Sequence, residues 1–359
     1  MRQHETDADQ KSPLDAPTAP AANALVKQDG DVLQCLACAH QCRIAPGHAG
    51  ICQVRFNRDG IMYAPDGYVA GLQVDPIEKK PFYHVLPGSN ALSFGMLGCN
   101  LHCDFCQNYS ISQRTAAGFT VKTEPEKILK DATSALHNIG IAFTYNEPVI
   151  WFEYIRDVAV KARKNGQKIV LVSNGYVNEE PLDEIISFTD AFNIDLKAFN
   201  NNFYKKLTGA ELEPVKKSIL RIAKSGRHLE ITTLVIPGYN DNENKIAQLA
   251  RWIADETGKD TPLHLSRYFP MYKREDPATP DETLKRLEKI AADYLSYVYI
   301  GNLVTDSGQN TMCPNCHKLV TRRSGYNIKL LNLDQKGNCS SCGTPIYKYF
   351  TSFSSSIKN

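Results

Sequence analysis

The chain has 359 residues, with 41 Lys and Arg against 39 Asp and Glu, a net charge of +2 and 42% hydrophobic residues. A chain of this length can bury a substantial core, and so small a net charge excludes a surface that attracts nucleic acid or anionic membranes as a whole. No apolar run approaches the roughly 18 residues that suggest a membrane span, so no membrane partner is expected.

Residues 1–24, MRQHETDADQKSPLDAPTAPAANA, lack the apolar stretch of a secretory signal. They read as a disordered leader rich in Ala, Pro and Asp, and a cytoplasmic protein is expected. That compartment keeps thiols reduced, yet the chain carries 11 cysteines. They fall into groups of four, three and four with none left over, which points to metal binding. The first group belongs to a segment spanning residues 25–85, where CLACAHQCRIAPGHAGIC supplies Cys35, Cys38, Cys42 and Cys52. Four thiolates fill a shell and suit zinc or an iron–sulfur cluster, with zinc preferred. His40 and His48 lie nearby and are read as residues outside that shell. Further on, in DPIEKKPFYHVLPG, Lys79 and Lys80 read as a surface charge pair.

From residue 86 to 305 the pattern alternates. ALSFGML is a short apolar strand that runs directly into GCNLHCDFCQN, where Cys99, Cys103 and Cys106 sit within eight residues. A helix is expected from Glu124 to Asn138, a strand in GIAFTYNEP, a helix in VIWFEYIRDVAVKARKNG and a strand in KIVLVSNGY. The series continues with a helix in EEPLDEIISF, a strand in AFNIDLKAF and a helix in VKKSILRIAKSG. HLEITTLVIPGYND is a strand and loop, ENKIAQLARWIADETG a helix, PLHLSRYFP a strand, DETLKRLEKIAADYL a helix and YVYIGN the last strand. Apolar strands alternating with amphipathic helices specify parallel βαβ units. Six to seven of them make a partial (β/α)6-type barrel, with its chemistry at the C-terminal strand ends. The last segment, residues 306–350, carries CPNC (Cys313, Cys316) and CSSC (Cys339, Cys342). Two such knuckles complete a closed four-thiolate shell, the arrangement of a structural zinc ribbon. From Thr311 onward the chain has seven Lys and Arg against one Asp, a basic stretch able to meet phosphates or an acidic protein surface.

The three-cysteine loop is different in kind. A cluster that only carries electrons takes four protein ligands, whereas three leave one metal position open. The spacing Cys-x3-Cys-x-aromatic-Cys, with Phe105 as the aromatic, resembles the signature of the radical S-adenosylmethionine (SAM) family. The resemblance implies a 4Fe–4S cluster on Cys99, Cys103 and Cys106, with its open iron chelated by SAM. It also implies reductive cleavage to a 5′-deoxyadenosyl radical that abstracts hydrogen from a substrate. The order of the four-cysteine segment, DPIEKKPFYHVLPGS and GCNLHCDFCQNYSISQ is similar to the AmmeMemoRadiSam-system radical SAM enzymes, relatives of the pyruvate formate-lyase activating enzymes, from about Leu25 to Ile346. By that resemblance Asn146 and Glu147 in TYNEP stand where the family meets the amino group of SAM, without the family's two glycines. Ser173 and Asn174 in SNGY face its carboxylate or ribose, and Asp195 and Lys197 in DLK match the activating enzymes. Gly238 in VIPGYND lies in the adenine-contacting segment, and His264 and Arg267 end the sixth strand.

The implied partners are a reductant such as flavodoxin or ferredoxin and a protein substrate, with RNA or a small molecule as the alternative substrate. A non-catalytic zinc scaffold is the third reading.

Overall fold

The computed structural model describes residues 18–113, 120–303 and 308–350. Most of the expected leader, residues 1–17, lies outside the described residues. Among those described, one eight-stranded sheet carries the architecture. Its strands are β1 (Gly71–Pro76), β2 (Asn90–Gly95), β3 (Asn138–Phe143), β4 (Lys168–Ser173), β5 (Ala191–Asp195), β6 (His228–Val235), β7 (Leu263–Arg267) and β8 (Val298–Gly301). They lie side by side in chain order. β2 to β8 are all parallel, and β1 is added antiparallel to the outer edge of β2.

Six helices connect the parallel strands: α1 (Pro125–Ser134), α2 (Phe152–Lys164), α3 (Glu179–Phe188), α4 (Leu212–Lys224), α5 (Glu243–Thr257) and α6 (Asp281–Ala292). The expected partial barrel of βα units is therefore the observed fold. The strands read as near-continuous apolar runs because both of their faces are covered; Ile141, Ala142, Phe143, Ile169 and Val170 are all fully buried. Each helix turns one stripe inward. In α4, Leu212, Val215, Ile219 and Ile222 are buried while Glu213, Lys217 and Lys224 are exposed.

Two departures from the sequence expectation have local causes. Helix α1 ends at Ser134, four residues before the expected Asn138, because the Asn138 side-chain amide donates to the Ala132 carbonyl at 2.8 Å and to Gly140 O at 2.9 Å. That side chain takes the place of another helical turn. Gly140 follows at φ +149°, where a Cβ would meet Lys168 O at 2.0 Å, so only glycine lets β3 approach β4 there. The second departure is β1. Its residues were grouped with the N-terminal segment, yet they complete the main sheet.

The N-terminal segment forms two small antiparallel sheets. One joins Val26–Asp29, Val32–Cys35 and Arg43–Ile44; the other joins Thr18–Pro20, Ile61–Pro65 and Phe56–Arg58. Thr18–Pro20, assigned to the leader from sequence, is thus an edge strand. The segment is fixed to the barrel by Arg55, whose side chain is 1% exposed and meets both carboxylate oxygens of Glu153 on α2 at 2.8 Å. The C-terminal segment is a three-stranded antiparallel ribbon of Thr311–Met312, Leu319–Ser324 and Asn327–Leu330. No helix among the described residues is long and apolar enough to cross a membrane.

Removing one partner of a buried ion pair leaves a charge in an apolar setting, at a cost of about 3–5 kcal/mol. Glu153→Ala strands Arg55 in this way, and urea unfolding is expected to show a loss of that order. A loss below about 1 kcal/mol would mean that the pair does not hold the N-terminal segment in place.

Candidate active site and metal centres

The chemistry-bearing loop leaves β2 through Met96 and Leu97 and turns at Gly98. That residue has φ +82°, and a Cβ on it would lie 2.7 Å from Val54 Cγ1 and 2.8 Å from Cys52 O. The loop is held from several sides. The His102 and Asp104 amides donate to Thr208 O (2.9 Å) and Leu207 O (3.2 Å), and Asp104 pairs with Arg274 at 3.0 Å. Phe105 is buried against Phe203, with ring centroids 5.9 Å apart.

Cys99, Cys103 and Cys106 line one cavity of about 670 Å³ together with Phe105, Asn146, Ser173, Asn174, Asp195 and Lys197. A volume of this size suits a cofactor or a small ligand. Burial pushes the Cys99 thiol well above its ordinary value, and Glu147 adds to the rise. Burial also pushes Cys103 up to about 12 and raises Cys106. Thiols so desolvated become thiolates only against bound positive charge. A single tetrahedral ion in a closed site takes four protein ligands, one more than this loop supplies. No other cysteine lines the cavity. The donor set fits three corners of an iron–sulfur cluster and does not fit a closed single-ion site.

The remaining expected residues divide in two. Ser173, Asn174, Asn146, Asp195 and Lys197 reach the cavity. Asn146 Nδ2 also donates to Met96 O (2.9 Å) and Gly98 O (2.6 Å), which fixes the start of the loop. Asn174 Nδ2 donates to Asn100 Oδ1 at 2.7 Å beside Cys99. Lys197 bonds Asp195 at 2.9 Å. Burial alone would depress its ammonium, but Asp195 and Cys103 outweigh burial and keep it charged.

Glu147, Gly238 and His264 do not line the cavity. The Glu147 carboxylate is fully buried behind the strand ends and accepts from Val149 N (3.1 Å), Ser173 Oγ (2.9 Å) and Asn174 N (2.8 Å). Gly238 N donates to Asp241 in the loop after β6. His264 Nε2 donates to the buried Glu230 at 2.6 Å, and Arg267 pairs with Asp281 at 3.0 Å.

Several cavity residues escaped the sequence reading. Lys80, expected on the surface, is buried: its ammonium lies 2.5 Å from Asp75, which also takes Lys79 at 2.8 Å and the Tyr145 hydroxyl at 2.6 Å. Burial alone would raise Asp75, but these three donors hold it at about 2. Lys79, Lys80, Tyr145 and Glu78 all border the cavity, as do Gly325 and Tyr326 from the tip of the C-terminal hairpin. The signal was present in DPIEKKPFYH, where charges are threaded through an apolar, proline-bounded stretch. The C-terminal cysteines form a compact group. Cys313 and Cys342 lie 3.5 Å apart, Cys316 and Cys339 3.6 Å, and all four sulfurs fall within 4.8 Å of one another. That geometry fits one tetrahedral ion.

A parallel βα sheet with an incomplete thiolate shell at the mouth of its first parallel strand defines an iron–sulfur enzyme of barrel type. The Radical SAM superfamily profile matches residues 95–250. An uncharacterized protein of Methanocaldococcus jannaschii is 41% identical over 326 residues, covering 89% of this chain and 96% of that protein. The pyruvate formate-lyase 1-activating enzyme of Escherichia coli K12 is 24% identical over 58% of this chain and 90% of its own length. Among solved structures, a domain of a pyruvate-formate lyase-activating enzyme from Bacteroides vulgatus is 22% identical with a TM-score of 0.40, covering 45% of this chain and 98% of that domain. The chain belongs to the radical SAM superfamily and is a radical SAM enzyme, a family that implies a 4Fe–4S cluster and SAM.

Glu78 allows a test of the cavity wall. Its carboxyl is 4% exposed, with one oxygen taking Gly88 N at 2.8 Å and the other unpartnered. Burial raises it from 4.5 to about 7, with Arg323 opposing. Above pH 4.5 the unfolded chain releases this proton while the folded chain keeps it, so stability falls as pH rises from 4.5 to 7, by up to about 3 kcal/mol. Glu78→Gln is expected to flatten that slope in urea titrations at pH 5 and pH 8. An unchanged slope would assign the pH dependence to other groups.

Proposed function

We propose that the enzyme acts on a protein substrate in the manner of the glycyl-radical activating enzymes, in the cytoplasm, with a low-potential carrier such as flavodoxin or ferredoxin as electron source. The observation that carries the reading is the three-thiolate loop opening on a cavity whose other walls are polar strand ends. Cys99, Cys103 and Cys106 hold the cluster. When bound, the cluster and SAM supply one-electron cleavage of the sulfonium and a hydrogen-abstracting 5′-deoxyadenosyl radical.

The chain's own residues bind and orient. Ser173, Asn174, Asn146 and the Asp195–Lys197 pair present donors and acceptors around the SAM site, and Phe105 keeps the loop against the barrel. Glu147 acts from behind by fixing Ser173 and Asn174. His264 acts at one remove through Glu230, which also receives the Tyr83 and His84 amides, and Gly238 shapes the turn beyond β6. One zinc ion on Cys313, Cys316, Cys339 and Cys342 closes the ribbon.

A macromolecular substrate is supported by exposed apolar side chains, some of them tied to the cluster loop. Tyr109, Tyr239, Phe269, Met271 and Tyr272 are all exposed, Tyr109 stacks on Tyr272 with centroids 5.0 Å apart, and Arg274 of this group pairs with Asp104 of the cluster loop. Exposed apolar groups gathered in this way mark interaction surfaces. Support also comes from activating enzymes among the relatives, those for pyruvate formate-lyase and 4-hydroxyphenylacetate decarboxylase. An RNA substrate is the second reading: Lys318, Arg322 and Lys329 of the basic ribbon are exposed, while Arg323 is buried in protein contacts.

The test is anaerobic reconstitution, reduction with SAM, and assay of 5′-deoxyadenosine, followed by deuterium-labelled candidate proteins. Cys103→Ala is expected to abolish cluster assembly and to reduce 5′-deoxyadenosine to background; normal formation by that variant refutes the assignment. Cys342→Ala is expected to lose about one zinc per chain and most of the folded yield, while full zinc content in that variant would remove zinc from the ribbon.

A further inference from the structure

The cavity that the thiolate loop faces is charged unevenly. Among the described residues, the acidic and basic side chains that border it are Glu78, Lys79, Lys80, Asp195 and Lys197. Asp195 and Lys197 neutralise each other at 2.9 Å. Glu78 adds little negative charge, since burial pushes its carboxyl up to about 7. Lys79 and Lys80 lie 2.8 and 2.5 Å from the two oxygens of one carboxylate, that of Asp75. Two ammonium groups on a single carboxylate leave one positive charge over at this wall.

The wall is held in place from several sides. The Lys80 side chain is 2% exposed, so its charge sits where water screens it little. Tyr145 completes the group: its hydroxyl donates to Asp75 at 2.6 Å, and its ring centroid lies 4.8 Å from the Lys80 nitrogen. To do so Tyr145 stands just beyond β3 with φ +75°, a left-handed conformation that a bulky residue rarely takes. Strain of this kind gathers at sites that hold ligands. Asn108 Nδ2 donates to the Tyr145 carbonyl, which joins the strained residue to the loop that carries Cys106. Lys80 gives one hydrogen to Asp75, and an ammonium has three to give.

We propose that the wall made by Lys79, Lys80 and Tyr145 over Asp75 receives a carboxylate of the substrate. The surplus is one unit of charge, which a single carboxylate cancels. A phosphate monoester, at about −1.5 to −2, would leave excess negative charge in a cavity that already holds thiolates. Asp75 keeps the two ammonium groups together, so the ligand meets a donor pair that is already ordered. The inference rests on the protein-substrate reading only in placing this carboxylate on a polypeptide, as an acidic side chain or a C-terminus.

The test uses the full chain, anaerobically reconstituted and saturated with SAM, and follows binding of radiolabelled N-acetylglycine by equilibrium dialysis. Binding of one molecule per chain is expected, with the neutral N-acetylglycinamide about tenfold weaker or more. Lys79→Met changes a half-exposed position and leaves Asp75 paired with Lys80 and Tyr145. It is expected to weaken binding about tenfold, while Lys79→Arg retains it. Lys80→Met is expected to abolish binding, and if that variant does not fold, the two Lys79 variants decide. Absent binding, equal binding of acid and amide, or unchanged binding in Lys79→Met overturns the proposal. Tighter binding of inorganic phosphate or dimethyl phosphate than of N-acetylglycine overturns it as well. Binding of N-acetylglycine alongside no hydrogen transfer from any candidate protein would fail the proposed substrate and leave the carboxylate site standing. Hydrogen transfer from a protein with wild-type kinetics in Lys79→Met would do the reverse.

Discussion

A single buried carboxylate ties together the strand ends on which the site is built. Glu147 closes β3 and, through three hydrogen bonds, takes hold of Ser173 and the Asn174 amide at the end of β4 and the amide of Val149 at the start of the next helical turn. Burial raises the carboxyl to about 7, against the pull of those bonds. Such a group is tolerated inside a protein because its acceptors are filled. Asn174, held in this way, reaches Asn100 beside Cys99, and Asn146, one residue before Glu147, clamps the loop start through Met96 and Gly98. Three adjoining strand ends and the thiolate loop are thus fixed as one body before any ligand arrives, which is what orientation of a reactive group requires.

A second buried carboxylate does the same for the appendages. Glu230 on β6 collects the Tyr83 and His84 amides, His228 and His264. Burial would raise its pKa, but the two histidines outweigh burial and hold it well below the usual range. The segment so anchored carries the ribbon: His84 bonds Ile346 O at 3.1 Å and Tyr299 at 2.7 Å, and Arg323 donates to Tyr83 O at 2.8 Å. Barrel interior, connecting segment and ribbon therefore form one hydrogen-bonded unit.

The parallel strands, their helices and the cysteine groups were legible from sequence because their signals are local: apolar runs, one-sided helices and short thiol spacings. Features set by distant partners were not. β1 has Val74 half-exposed on an edge strand, which hides its apolar pattern. Lys80 looked like a surface charge because, although its partner Asp75 lies only five residues away, the Tyr145 hydroxyl that completes the buried group comes from beyond β3. Glu147 sits at the expected strand end, but the side to which its carboxylate turns depends on Ser173 and Asn174. Glu230, a charge in the middle of the apolar strand HLEITTLV, carries a local sign that the sequence analysis did not use, since such a residue needs partners from neighbouring elements.

The ribbon hairpin reaches the cavity with Gly325 and Tyr326, although its metal knuckles lie elsewhere in the chain. One wall of the cavity is therefore borrowed from a module folded around its own group of four cysteines. Whatever disturbs the packing of that four-cysteine group therefore also reaches a wall of the chamber that the thiolate loop faces, although the two lie more than 200 residues apart in the chain.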